Sequence, residues 1–262
     1  MEVLPGFVIA LAISLTGVGA GSMTTPLLIL FLGVPPATAV GTALTFGAIV
    51  KIASVPAYVL RREVNFRILR LLLAGGFPGV LLGAFLLEWL KRGSYNDILF
   101  AALGVLIVST AAFRLYRLFR PKEISTPRER PHLLAWLALP IGAEVGFSSA
   151  GAGALGSLLL LSFTRLTTTE VVGTDLCFGL ALAAVGSLVQ LGAGNYDSAL
   201  LVKLVIGGLC GSLTGSLLAG RIAQRPLRVA LLVMLIVLGC QLAMHGGLPA
   251  RPLHAMLQLL DK

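Results

Sequence analysis

Three ionisable residues, Lys51, Glu144 and Asp175, stand inside long apolar stretches where an ion is expensive to keep. Lys51 is ten residues, about 15 Å of helix, from Arg61, farther than a snorkelling side chain comfortably reaches. A cation at that depth attracts either an anion or an acid. It shares a helical face with Gly47, Ser54 and Tyr58, and Thr42 and Thr45 lie on the adjoining face, so one helix can present charge and hydroxyls to a single cavity. Glu144 and Asp175 are candidates for either of two tasks, binding a coupling proton or neutralising Lys51.

Two glycine-rich stretches supply a second kind of chemistry: GVGAGSMTTP at 17–26 and SSAGAGALGS at 148–157. A helix that starts after such a break offers unpaired N–H groups and the positive end of its dipole. Gly19, Gly21, Ser22, Thr24 and Thr25 form the first set, and Ser148, Ser149, Gly151, Gly153 and Ser157 the second. Backbone amides and hydroxyls converging from two helix starts make a nest for an anion. Thr174, the counterpart of Thr42 in the second half of the chain, joins the substrate-binding candidates.

These residues must be held by helices in a bilayer. Apolar runs fall at about 3–32, 38–60, 68–90, 97–116, 133–163, 170–192, 198–220 and 227–244. The runs at 3–32 and 133–163 are too long for one crossing, and each is interrupted midway by its glycines, the first interruption closing at Pro26. Each therefore reads as two shorter helices with irregular backbone between them, which at membrane depth must be buried or line a cavity.

The chain is also a duplication. Adding 132 to a position between 17 and 87 lands on its counterpart without a gap, and about twenty of the seventy-one pairs are identical. Val40-Gly41-Thr42 becomes Val172-Gly173-Thr174, and Gly75, Gly76, Gly79 and Gly83 become Gly207, Gly208, Gly211 and Gly215. The four-residue glycine spacing suits close helix packing, a scaffold role. If each broken run is a hairpin that returns to its own side, a half has three further crossings and the halves are inverted; if each is one crossing, the halves are parallel. The basic residues favour inversion: the loop at 61–70 has four arginines and its partner at 193–202 has none, as expected of loops on opposite sides. The expectation is an all-α integral membrane protein of two inverted-topology repeats, each a glycine-broken helix hairpin plus three transmembrane helices. Residues 1–113 form the first repeat, 114–131 a basic cytoplasmic linker, 132–244 the second repeat and 245–262 a tail whose Leu253, Leu257 and Leu260 could rest on the membrane surface. Both termini are expected outside.

Composition agrees with this reading and removes other classes. Of 262 residues 57% are apolar and only 12% charged, so no room is expected for a soluble catalytic domain. The net charge of +9 resides mostly in short gaps between apolar runs, which is loop charge that orients helices rather than a nucleic-acid footprint. Cys177, Cys210 and Cys240 lie in apolar runs without paired spacing, so neither a disulfide nor a metal site is expected. Met-Glu-Val-Leu-Pro lacks the basic start of a cleavable signal, so the first run is expected to stay. No phosphate loop, metal-binding His spacing or G-x-S-x-G is present, and His132, His245 and His254 lie at segment ends; no enzyme and no cofactor is expected.

With GVGAGSMTTP, Gly-Val-Pro-Pro at 33–36 and Ala-Val-Gly-Thr at 39–42, the chain resembles the sulfite exporter TauE/SafE family of membrane permeases over essentially its whole length. The family's glycine-rich stretch ending in Pro is present as Gly17, Gly19, Gly21 and Pro26, with Ala20 where another Gly is common, and Leu158 replaces the proline in the second copy. The resemblance implies ATP-independent transport of small anionic sulfur or carbon compounds, such as sulfite, thiosulfate or sulfonates. The expected protein is a multi-pass secondary transporter of the bacterial cytoplasmic membrane, binding a small anion at the paired breaks and working by alternating access, with a proton as candidate coupling ion and with lipid around it. An oligomer is compatible with the sequence. The competing reading is an anion channel with the same midplane site and a continuous wet path.

Overall fold

The computed structural model describes residues 6–11, 20–93, 95–119, 131–150, 154–218 and 224–245. Among these the chain is helical throughout, with short turns: α1 at 6–11, α2 Ala20–Leu32, α3 Pro36–Leu60, α4 Phe66–Arg92, α5 Asn96–Phe119, α6 Pro131–Ser148, α7 Ala154–Phe163, α8 Thr168–Gly192, α9 Ser198–Leu218 and α10 Gln224–His245. Helices α3, α4, α5 and α8 are each long and apolar enough to cross a bilayer, and shorter apolar helices fill the spaces between them. Phe31, Leu60, Phe85, Trp136 and Leu188 project outward, each at least 68% exposed, the signature of a surface that meets lipid. The protein is an all-α integral membrane protein.

Local chemistry sets the helix ends. Asn65 caps α4 by accepting from the Ile68 amide at 3.1 Å, and Asp197 caps α9 by accepting from the Leu200 amide at 3.0 Å. Thr167 and Glu170 form a capping box at the start of α8. The turn after α3 places Arg62 at φ 57° and the turn after α8 places Gly194 at φ 72°, so the same left-handed step closes both helices. Beyond the second turn, Asn195 is buried and donates to Glu88 at 3.0 Å and to Gln190 at 2.7 Å, which ties the end of α4 to the α8–α9 turn.

Packing fixes the helix directions. In lipid the apolar effect gives little reward for bringing helices together, so close backbone approach carries the association. Gly75, Gly79 and Gly83 of α4 lie against Ala135, Leu139 and Ala143 of α6, advancing together, so the two helices run parallel. Gly41 near the start of α3 meets Asn195 just past α8, and Gly173 near the start of α8 meets Glu63 just past α3, so α3 and α8 run antiparallel. Leu134, in the first turn of α6, and Phe163 to Leu166, at the end of α7, line one cavity of about 360 Å³ with Asn65, Arg67 and Ile68. The α6–α7 pair therefore turns back on itself and returns to the end from which it set out.

Many of these contacts occur twice, 132 residues apart and with the halves exchanged. Gly76 faces the Phe178 ring and Gly208 faces the Phe46 ring. Gly79 abuts Leu139 and Ala143, and Gly211 abuts Phe7 and Leu11. The Asn65 amide donates to Thr174 Oγ1 at 3.0 Å, and the Asp197 amide donates to Thr42 Oγ1 at 3.2 Å.

Two expectations need correction. Pro26 does not close the first break: α2 starts at Ala20 and runs through Pro26 to Leu32. A proline only seven residues into a helix forfeits one hydrogen bond near the end, and in a protein interior neighbouring groups can make that tolerable. Arg114 and Arg117 do not belong to the linker, because α5 continues to Phe119. Arg114 falls on the buried face of α5 that runs through Leu103, Ile107 and Ala111. Gly17, Gly19, Gly151, Gly153, the linker over 120–130 and the tail over 246–262 lie outside the described residues.

Candidate functional site

The second helix break begins where α6 ends at Ser148. Ser149 follows with φ 62°, a left-handed conformation that costs a non-glycine residue on the order of 1–3 kcal/mol and must be held by its surroundings. What holds it is the start of α2. Ser149 Oγ donates to the Gly21 carbonyl at 3.1 Å and lies 2.6 Å from Thr25 Oγ1. Gly21 is backed so closely against the Ser149 carbonyl that a Cβ there would collide with backbone. The structure thus brings together Gly21, Thr25 and Ser149, with Ser22 and Thr24 buried beside them on α2.

A second group of side chains surrounds this meeting point. Asp175 on α8 is 4% exposed; its Oδ2 accepts from Ser157 on α7, and its Oδ1 lies over Gly156, where a Cβ would have no room. Lys51 on α3, part-buried, acts on Asp175 electrostatically. Glu144 on α6, 8% exposed, lies five residues before Ser149, about 7.5 Å along the helix. Thr110 of α5 lies beside it.

Arg114 is the residue that sequence reasoning missed. It is 7% exposed and acts electrostatically with both Glu144 and Asp175. One turn earlier on α5, Ala111 belongs with Met23 of α2 to one apolar cluster that Leu231, Leu232 and Leu235 of α10 complete, so α10 links α5 to the helix that carries Ser22 and Thr25. The group contains two cations and two acids, contributed by α3, α5, α6 and α8. All four break the internal duplication: Lys51, Arg114, Glu144 and Asp175 correspond to Ala183, Gly246, Ala12 and Ala43. A scaffold of matched glycines thus carries a charged group that is present once.

Four further expected residues make local hydrogen bonds. Thr42 and Thr174 accept hydrogen bonds from the Asp197 and Asn65 amides and so hold the turns between crossings. The Thr45 hydroxyl donates to Gly41 and that of Ser148 to Glu144, both to carbonyls one turn back on their own helices. Among the described residues no group of three or more His, Cys, Asp or Glu side chains could hold a metal ion.

The arrangement can stabilise a small anion: buried donors and cations in a poorly hydrated region attract negative charge far more strongly than they would in water. Comparison with known proteins finds one family and several relatives. The family model described as Sulfite exporter TauE/SafE matches residues 3–242. The chain is 28% identical over 216 residues to the "Probable membrane transporter protein YjnA" of Bacillus subtilis (strain 168), covering 79% of this chain and 85% of that protein. It is 27% identical over 215 residues to the "Probable membrane transporter protein YdhB" of the same organism, with the same coverage of 79% and 85%. A "Probable membrane transporter protein" of Xylella fastidiosa (strain Temecula1 / ATCC 700964) is 25% identical over 211 residues, 78% of each chain. No solved structure matches.

Proposed function

From the premise that this chain belongs to the sulfite exporter TauE/SafE family of membrane proteins, we propose that it is a secondary transporter of a small oxyanion, such as sulfite, thiosulfate, a sulfonate or a small carboxylate, in the bacterial cytoplasmic membrane. The observation that carries this reading is the buried group of Lys51, Arg114, Glu144 and Asp175 beside the contact between Gly21, Thr25 and Ser149. Charges at such depth are costly and are retained where ions or protons pass.

The two halves act as inverted repeats that rock about this site. Support comes from equivalent helices α3 and α8 running antiparallel, since repeats related by an axis along the membrane normal would have them parallel. The basic segments 61–70 and 221–228 lie on the cytoplasmic side and the segment 193–197 on the outer side. Glu144 and Asp175 are the candidate proton carriers, because two cations and two acids already balance and an added anion is most cheaply accompanied by a proton.

A thermal-shift screen of the purified protein against sulfite, thiosulfate, methanesulfonate and acetate tests the reading. A ligand that binds only the folded state raises stability by about 2.7 kcal/mol at one hundred times its Kd. At least one of these anions should raise Tm in a saturable way; if none does, the anion reading fails.

A further inference from the structure

We propose that the side edge of the Arg114 guanidinium, its Nε and Nη2, is the fork that takes two oxygens of the transported anion. The proposal rests on the anion-transport reading above. Arg114 is 7% exposed, and both Nε and Nη2 lack a hydrogen-bond partner. These two N–H groups point in nearly the same direction, the geometry that grips a carboxylate or another oxyanion with two parallel bonds. The neighbouring acids do not use it: Glu144 Oε1 and Asp175 Oδ1 are themselves buried without a hydrogen-bond partner. They act on Arg114 electrostatically and make its burial tolerable, yet leave its edge unengaged.

Position supports the same role. Arg114 continues the face of Leu103, Ile107 and Ala111 into the interior and acts electrostatically on Glu144, which stands five residues before Ser149, the residue bonded to Gly21 and Thr25 of α2. An anion in the fork would therefore lie close to the helix start that carries the buried hydroxyls of Ser22, Thr24 and Thr25. A fork that bonds two oxygens on one centre selects for sulfite, sulfonate or carboxylate and against a halide, which offers one point of charge.

The test compares wild type with Arg114→Lys, which keeps the charge and loses the planar fork. Isothermal calorimetry with sulfite and methanesulfonate should show at least a tenfold loss of affinity in the variant, with chloride binding neither protein. Sulfite affinity within twofold of wild type would overturn the fork. Should Arg114→Lys fail to fold, the double variant R114Q/E144Q removes both charges together; it should fold and lose sulfite binding, and wild-type affinity there would overturn the proposal. Should that variant fail as well, a structure of the wild-type protein with sulfite decides: density within hydrogen-bond reach of Nε and Nη2 is expected, and density elsewhere overturns the assignment. A wild type that binds none of these anions overturns the transport reading and the fork with it, whereas binding that ignores Arg114 overturns the fork alone.

Discussion

Replacing Gly79 by alanine puts the packing of the two halves to a quantitative test. The added Cβ would collide with the Leu139 carbonyl and lie 2.9 Å from the Ala143 amide nitrogen and 3.1 Å from the Gly142 Cα, all of them backbone atoms of α6. No rotamer change relieves such a contact; α4 and α6 must separate. Overpacking costs typically 1–3 kcal/mol and sometimes more, and with backbone on every side the upper end applies. The better helix propensity of alanine returns about 1 kcal/mol, so the net loss is about 2 kcal/mol. At about 2–4 °C per kcal/mol for a chain of this size, Tm in detergent should fall by about 4–8 °C. Gly211→Ala, which meets the Phe7 carbonyl and Leu11 amide, should cost the same within experimental scatter. Gly76→Ala differs in kind: its Cβ would lie 2.6 Å from Phe178 Cε2, so trimming the ring in G76A/F178L should recover part of the loss, whereas Leu139→Ala cannot rescue Gly79→Ala. Gly192, with nothing within 4 Å, is the control. Gly79→Ala within 1 °C of wild type, or Gly192→Ala equally damaging, would refute the packing argument.

Other outcomes follow from the site and the topology. Neither Lys51 nor Asp175 forms an ion pair within 4 Å with a described residue, so their mutual attraction is below about 4 kcal/mol at an effective dielectric of 20. If Lys51 neutralises Asp175, Lys51→Gln should lower Tm and Asp175→Asn should restore it in the double variant; if it binds substrate, sulfite affinity falls instead, and a variant unchanged in both respects removes both roles. Ser149→Ala should cost about 1–2 kcal/mol, by loss of the bonds to Gly21 and Thr25 that hold a left-handed residue, and an unchanged Tm would show that they do not hold the break. In a protein whose native cysteines are replaced, a cysteine at exposed Tyr196 and one at exposed Arg62 should label from opposite sides of the membrane; labelling from one side would reject the inverted arrangement.

The helices were largely legible in the sequence because apolar runs separated by basic or glycine-rich gaps leave little else for the chain to do. The offset of 132 is now visible in the helices themselves: α3 at Pro36–Leu60 maps onto α8 at Thr168–Gly192 residue for residue. In sequence Pro26 reads as a helix end, although near a helix start a proline removes only one bond. Arg114 is hidden by its neighbours, because it begins an arginine-rich tract. Its register could have revealed it, since Leu103, Ile107, Ala111 and Arg114 follow one helical face. Thr42 and Thr174 have a structural task that the sequence does not show. A hydroxyl that caps a turn and one that binds a substrate look alike in sequence, and only the fold brings the Asp197 and Asn65 amides to them.

The central claim, a gated anion site built on the charged group, is tested most directly by counterflow of radiolabelled sulfite in proteoliposomes. Liposomes preloaded with unlabelled sulfite should take up label transiently above equilibrium, with saturation as external sulfite rises, and Arg114→Lys should abolish the overshoot. Uptake that rises linearly with concentration and shows no overshoot would contradict a carrier and favour an open pore. Wild-type overshoot in Arg114→Lys would contradict the two-oxygen fork at Arg114.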